Sequence, residues 1–340
     1  MQALILAGGE GTRLRPLTET VPKSVMPLAG RPFLSYMIDW LGRHGVEEVV
    51  LACGYRADKV REVLGEGDKP RLRYVEEPEP RGTAGAIKFA ASELPERFLA
   101  LNGDVLTDLD LTALQSFHDQ NGARATLGLY PVPDASNYGL VSRGEDGAVR
   151  GFLEKPEAPG PGEINAGSYV LEHRILDLVP DGQMVSIERD VFPRLIGDGL
   201  YAIPLQGYWM DIGTPERYLQ ATWDILERRV ATAVGEALAQ DSRLLGEGVE
   251  QAPEARVVGP ALLQEGVKVG DRATVGPRAV LGPGCEIGAG AAVASSVLLE
   301  ECRIGERARV EGAILGAGVE VSAGAIVEAG SVIGAAETVG

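Results

Sequence analysis

From about Val257 onward the chain places an apolar residue every six positions: Val257, Leu263, Val269, Val275, Leu281, Ile287, Val293 and Leu299. Glycine often follows, as in Val269-Gly270, Leu281-Gly282, Ile287-Gly288 and Ile304-Gly305. After a one-residue slip the series resumes at Ile304, Val310, Val321, Val327 and Ile333. That period matches neither an α-helix nor a lone amphipathic strand. It matches a parallel β-helix, whose coils each bury their inward face only against their neighbours. The apolar residue is expected to point inward and the glycine to permit the corner.

The first two-thirds of the chain follows another grammar. Residues 3–7, 48–53, 72–75 and 97–101 read as short apolar strands. Residues 33–44, 57–64, 83–94 and 218–229 read as helices, the first closed by Gly45. Such alternation predicts an α/β, Rossmann-like, mostly parallel sheet covered by helices. The expected organisation is a first domain over 1–229, a linker over 230–256 with a helix near 231–240, and the β-helix over 257–340. A length of 340 residues accommodates two domains.

The strand at 3–7 runs directly into Gly8-Gly9-Glu10-Gly11-Thr12-Arg13. Glycines let backbone N–H groups approach a phosphate closely, and an arginine can clamp its oxygens with a fork of donors. The loop lacks the Gly-Lys-Ser/Thr ending of a Walker motif, and Leu14 stands where a dinucleotide fingerprint needs its third glycine. In sheets of this kind, ligands bind outside the carboxyl ends of the strands, where this loop would sit.

A net charge of −17 argues against nucleic acid as a partner. It also repels an anionic substrate overall, so local cations such as Arg13, Lys23 and Lys155 must dominate any phosphate site. Cys53, Cys285 and Cys302 have no metal or redox spacing and suit reduced thiols in a cytoplasm. No signal peptide or membrane span is expected.

The string continues through Leu14-Arg15-Pro16-Leu17-Thr18 to Pro22-Lys23-Ser24 and Met26-Pro27-Leu28. As a whole it resembles the signature of the sugar-1-phosphate nucleotidyltransferases. The resemblance implies that a nucleoside triphosphate and a sugar 1-phosphate react in one displacement with Mg²⁺, and that the hexapeptide domain is a left-handed β-helix. It implies that Leu6, Ala7, Gly8, Gly9, Gly11 and Thr12 meet the nucleotide, with Gly82 and Thr83 from Glu79-Pro80-Arg81-Gly82-Thr83 near the base. Thr83 also has the makings of a helix cap.

Arg13 and Lys23 are then the candidate triphosphate grip. Asp104, in Asn102-Gly103-Asp104 after a strand, and Asp211, just before Gly213-Thr214-Pro215, are the candidate Mg²⁺ ligands. Mg²⁺ typically takes one or two carboxylates with phosphate and water oxygens. The motif Phe152-Leu153-Glu154-Lys155-Pro156 offers Lys155 to the sugar phosphate and Glu154 to its hydroxyls. By resemblance Gly139, Asn165 and Tyr169 adjoin the sugar. Thr214 and Pro215 suit a helix N-cap and first turn. Trp209 is expected to pack beside Asp211.

Within the family, these motifs, Ser186-Ile187-Glu188-Arg189-Asp190 and the hexapeptide tail look most like the mannose-1-phosphate guanylyltransferase branch. Arg81 departs from it, standing where an apolar residue is expected. A glucose-1-phosphate thymidylyl- or uridylyltransferase is the alternative. A non-catalytic regulatory or scaffold subunit is a second alternative, though it would be expected to lose the phosphate and metal residues kept here. Acetyl transfer is not expected, because all three histidines precede the repeats. Self-association into a homo-oligomer is expected from the β-helix.

Overall fold

The computed structural model describes residues 1–155 and 160–340. These fall into two compact units, one of Met1–Gly9 with Met37–Trp209, the other of Glu10–Tyr36 with Met210–Gly340.

In the first unit, nine strands among the described residues form one sheet: β1 (Gln2–Leu6), β2 (Glu48–Cys53), β3 (Arg71–Glu76), β4 (Arg97–Asn102), β5 (Ala125–Val132), β6 (Gly139–Arg143), β7 (Val149–Glu154), β8 (Gly162–Glu172) and β9 (Leu200–Pro204). The strands β3-β2-β1-β4 run side by side and parallel, which is the part that the strand–helix alternation predicts. Beyond β4 the sheet reverses: β8 lies antiparallel to β4 and also pairs with β5 and β6. Parallel strands covered on both faces must be apolar throughout. Accordingly Ala3, Leu4, Ile5, Val49, Val50, Leu51, Leu99 and Ala100 have no exposed surface. Helices Ala57–Leu64 and Gly82–Phe89 are crossovers that the alternation predicts, while Leu111–Asn121 is a further helix that the sequence reading did not name.

In the second unit, strands from Arg243–Leu245 to Thr338–Val339 stack into three parallel ladders, the arrangement of a left-handed parallel β-helix. The ladder begins with Arg243–Leu245, inside the stretch read as a linker, after a helix at Ala233–Gln240 capped by Thr232. Thr214 caps the helix Pro215–Leu226 as expected, accepting from the Arg217 N–H.

Two details of the repeat differ from the sequence reading. Leu281 pairs with Leu298, not Leu299, so Leu298 is the inward residue of its coil. The one-residue deficit is absorbed earlier, at the corner containing Ser295, whose φ is +49°. The glycines after the apolar residues also serve another purpose than the corner. A Cβ on Gly288 would lie 2.7 Å from Glu306 N, and one on Gly305 2.5 Å from Ala323 N. These glycines let successive coils stack closely, while the left-handed corners fall on residues such as Gly284 and Arg272.

At the amino ends of the first unit's strands, His118 is completely buried. Its Nδ1 lies 2.8 Å from Thr126 Oγ1 and its Nε2 3.2 Å from Glu172 Oε1. Glu172 also accepts from Arg97 Nε at 2.6 Å. Burial lowers the His118 pKa, so the ring is held neutral. Burial pushes the Glu172 carboxyl up, but Arg97 and His118 together outweigh it and its pKa ends below the ordinary value.

Both groups thus have folded pKa values below their unfolded ones, and acid favours the unfolded chain. We expect the thermal midpoint to fall as pH drops below about 6.5, where His118 titrates when unfolded. The drop between pH 7.5 and 5.5 should shrink in His118→Gln. An unchanged drop in the variant would show that this cluster does not carry the pH dependence.

Candidate functional site

In the first unit the chain adds β2 and β3 on one side of β1, then returns to place β4 on the other. Such a reversal opens a crevice at the carboxyl ends of the two strands. Leu6 and Asn102 are in register, and the Gly103 N–H donates to Leu6 O at 3.0 Å. Gly8-Gly9 and Gly103-Asp104 therefore leave the sheet side by side. Ala7 stays in the sheet, its N–H bonded to Ala52 O. A Cβ on Gly8 would touch Gly54, and Gly9 has open space around it. Asp104 is half-buried. Asn102 Oδ1 is buried with no hydrogen-bond partner among the described residues.

The sugar-side candidates also converge in this unit. Glu154 at the end of β7 is in register with Gly139 at the start of β6. A Cβ on Gly139 would lie 2.9 Å from Glu154 Oε2, so only glycine leaves that carboxylate its place. Lys155 is exposed, has a φ of +52°, and donates its N–H to Tyr138 O at 3.0 Å. Pro156, the last residue of that motif, lies outside the described residues. Burial raises the Glu154 pKa, the Glu188 charge raises it further, and Lys155 and Arg189 oppose both. Trp209 is nearly buried; its ring stacks on Tyr130 and meets Tyr138 edge-on, and its Nε1 donates to Ala166 O at 2.9 Å.

Two candidates need correction. Tyr169 is completely buried, so it cannot touch a substrate directly; its hydroxyl accepts from Asn165 Nδ2 at 2.7 Å. Thr83 does not cap its helix. Its hydroxyl donates to Glu188 Oε2 at 2.8 Å and accepts from the Ile187 N–H at 2.7 Å. Two N–H groups in the first turn of that helix, those of Ala84 and Gly85, donate to Val185 O. Gly82, with φ +70°, makes this docking possible, since a Cβ there would lie 2.6 Å from Val185 O. Arg81 folds over its own helix, its guanidinium 4.8 Å from the Phe89 ring centroid, which accommodates the departure noted in the sequence.

In the second unit, Gly11 adopts φ +65° and accepts from the Leu14 N–H and the Thr18 hydroxyl. A Cβ there would lie 2.9 Å from Lys23 Cβ, so the loop glycine and the buried lysine stem pack together. Thr12 and Arg13 open the next turn and are exposed. A Cβ on Gly213 would lie 2.7 Å from Arg13 Nη2 and 2.9 Å from Asp211 Oδ1, which puts all three in one small neighbourhood. Arg217 Nη1 pairs with Asp211 Oδ2 at 2.7 Å. Sequence reasoning missed Arg217; its signal is its place in the first turn of the helix that Thr214 caps.

Among the described residues no three His, Cys, Asp or Glu side chains gather as a metal cage. No helix among them is long and apolar enough to cross a membrane.

The Gly103 contact predicts a measurable cost. A Cβ at Gly103 would lie 2.4 Å from Leu6 O and 3.0 Å from Ile5 Cγ2, which only a backbone shift can relieve. Gly103→Ala should destabilise the unit by about 1–3 kcal/mol. An unchanged thermal midpoint would contradict the tight apposition of β1 and β4.

The Nucleotidyl transferase family model matches residues 2–228, and the GMPPB C-terminal domain model matches residues 257–340. A mannose-1-phosphate guanylyltransferase of Mycobacterium tuberculosis is 37% identical over 276 residues, covering 79% of this chain and 77% of that protein. A probable mannose-1-phosphate guanylyltransferase 2 of Oryza sativa is 38% identical over 288 residues, covering 79% and 80%. The crystal structure of HddC from Yersinia pseudotuberculosis complexed with GMP-PN superposes with a TM-score of 0.58 at 30% identity, covering 66% of this chain and 99% of that one.

Proposed function

Because the chain belongs to the nucleotidyl transferase family, we propose that it transfers the guanylyl group of GTP to mannose 1-phosphate, forming GDP-mannose and releasing pyrophosphate. The observation that carries this reading is the identity to mannose-1-phosphate guanylyltransferases over 79% of the chain.

The reaction is a direct displacement. An oxygen of the sugar 1-phosphate forms a bond to the α-phosphorus as the bond to the pyrophosphate oxygen breaks. The attacking phosphate is already ionised, so no protein base is needed. The protein supplies positioning and charge stabilisation.

In this reading Leu6, Ala7, Gly8, Gly9, Gly11 and Thr12 meet the nucleotide. Arg13 and Lys23 stabilise the charge that grows on the leaving pyrophosphate. Lys155 holds the sugar phosphate, while Glu154 and Asn165 receive the hydroxyls, with Gly139 leaving room. Gly82 and Thr83 act by docking the 183–188 segment beside the site.

Mg²⁺ suits the hard oxygens here: in the first unit Asn102 Oδ1 is unsatisfied among the described residues, two positions from Asp104. Asp104 and Asp211 are the proposed carboxylates, and the bound cation would neutralise phosphate charge. The reading extends to a cytoplasmic homo-oligomer. Three cysteines without disulfides suit a reducing compartment. Stacked coils end in surfaces that a second copy can cover. A monomer by light scattering at micromolar concentration would exclude the oligomer.

The test is pyrophosphate release with Mg²⁺ from a panel of five nucleoside triphosphates against mannose, glucose and N-acetylglucosamine 1-phosphates. GTP with mannose 1-phosphate should be preferred; preference for dTTP or UTP with glucose 1-phosphate would overturn the substrate assignment. Asp104→Asn should lower turnover by roughly 10²–10³ with the fold intact. Turnover within a few-fold of the parent would remove Asp104 from the machinery.

A further inference from the structure

The carboxylate of Glu188 gathers more hydroxyl donors than any single role in packing requires. Thr83 Oγ1 and Ser186 Oγ each donate to Oε2 at 2.8 Å. Tyr169 donates to Oε1 at 3.4 Å. Tyr169 in turn accepts from Asn165 Nδ2 at 2.7 Å, and Asn165 Oδ1 accepts from the Gly167 N–H at 3.1 Å. The chain Glu188–Tyr169–Asn165 therefore runs in one direction of donation and leaves one Asn165 N–H over. A carboxylate can only accept, so Tyr169 must donate to it, which leaves the phenolic oxygen to accept from Asn165. That fixes which way the Asn165 amide faces.

The backbone around Glu188 is shaped for this. Ile187–Val191 forms one turn of π-helix, entered through Ser186, whose hydroxyl accepts from the Arg189 N–H. Single π turns are rare and often mark functional sites. The turn brings a half-buried carboxylate to face Tyr169, Thr83 and, through its charge, Glu154. Burial, then the Glu188 charge, pushes the Tyr169 phenol well above its ordinary range, which keeps the proton that the relay needs.

We propose that Glu188 is a positioning residue for the sugar 1-phosphate: through Tyr169 it sets the orientation of Asn165. It acts on substrate recognition without touching the reacting atoms. The inference rests on the nucleotidyl-transfer reading.

The test is a double-mutant cycle of Glu188→Ala and Tyr169→Phe, with kinetics measured separately for each substrate. Tyr169→Phe keeps the buried ring packed edge-on against Phe192 and removes only the hydroxyl. Each single variant should raise the KM for the sugar 1-phosphate roughly tenfold, as for loss of one charge-linked hydrogen bond. The KM for the nucleotide should stay within about twofold. Because both residues act through one relay, the double variant should be no worse than the poorer single variant. Multiplying effects, or equal rises in both KM values, would overturn the proposal. So would an unchanged sugar-phosphate KM in folded Tyr169→Phe, whose folding is checked by its thermal midpoint. A parent protein inactive across the whole substrate panel would instead refute the proposed reaction.

Discussion

The pairing of β1 with β4 is the constraint on which the first unit depends. Leu6 and Asn102 face one another at the ends of these strands, and the Gly103 N–H closes the ladder on Leu6 O. The strands run through a core with no exposed side chain at Leu4, Ile5, Leu99 or Leu101, so their register cannot slip without burying polar groups. Everything that leaves their carboxyl ends inherits that rigidity. Gly8-Gly9 and the Asn-Gly-Asp turn thus leave the sheet side by side, tied by the backbone hydrogen bond from Gly103 to Leu6.

What was legible in the sequence was local. The strand before Gly8 and the Thr214-Pro215 helix start each follow from a few adjacent residues, and the structure has them where the pattern puts them. The parallel half of the sheet follows from strand–helix alternation. The antiparallel half did not announce itself, because β8 owes its place to pairing with strands far away in the chain. The six-residue repeat gave the β-helix, yet the slip at Leu298 was misplaced. Leu298 and Leu299 are both leucine, and only the corner at Ser295 decides between them.

The sequence offers candidate site residues and not the network among them. Glu188 stood inside a quoted motif without a role, since its partners Thr83 and Tyr169 lie elsewhere in the sequence. Tyr169 and Thr83 carried roles by motif that burial and hydrogen bonding reassign. A tyrosine with no exposed surface orients its neighbours instead of meeting a substrate, and a threonine whose hydroxyl bridges to Glu188 and Ile187 is not a helix cap. Motifs mark where chemistry happens; which member touches the ligand depends on which way each side chain is packed.

The measurement that tests the account most directly is backbone hydrogen exchange with and without a non-hydrolysable GTP analogue and Mg²⁺. Protection reports where a ligand orders or covers the backbone. The account predicts new protection across residues 8–13 and 103–105, the segments leaving β1 and β4. Binding that protects neither segment would contradict it.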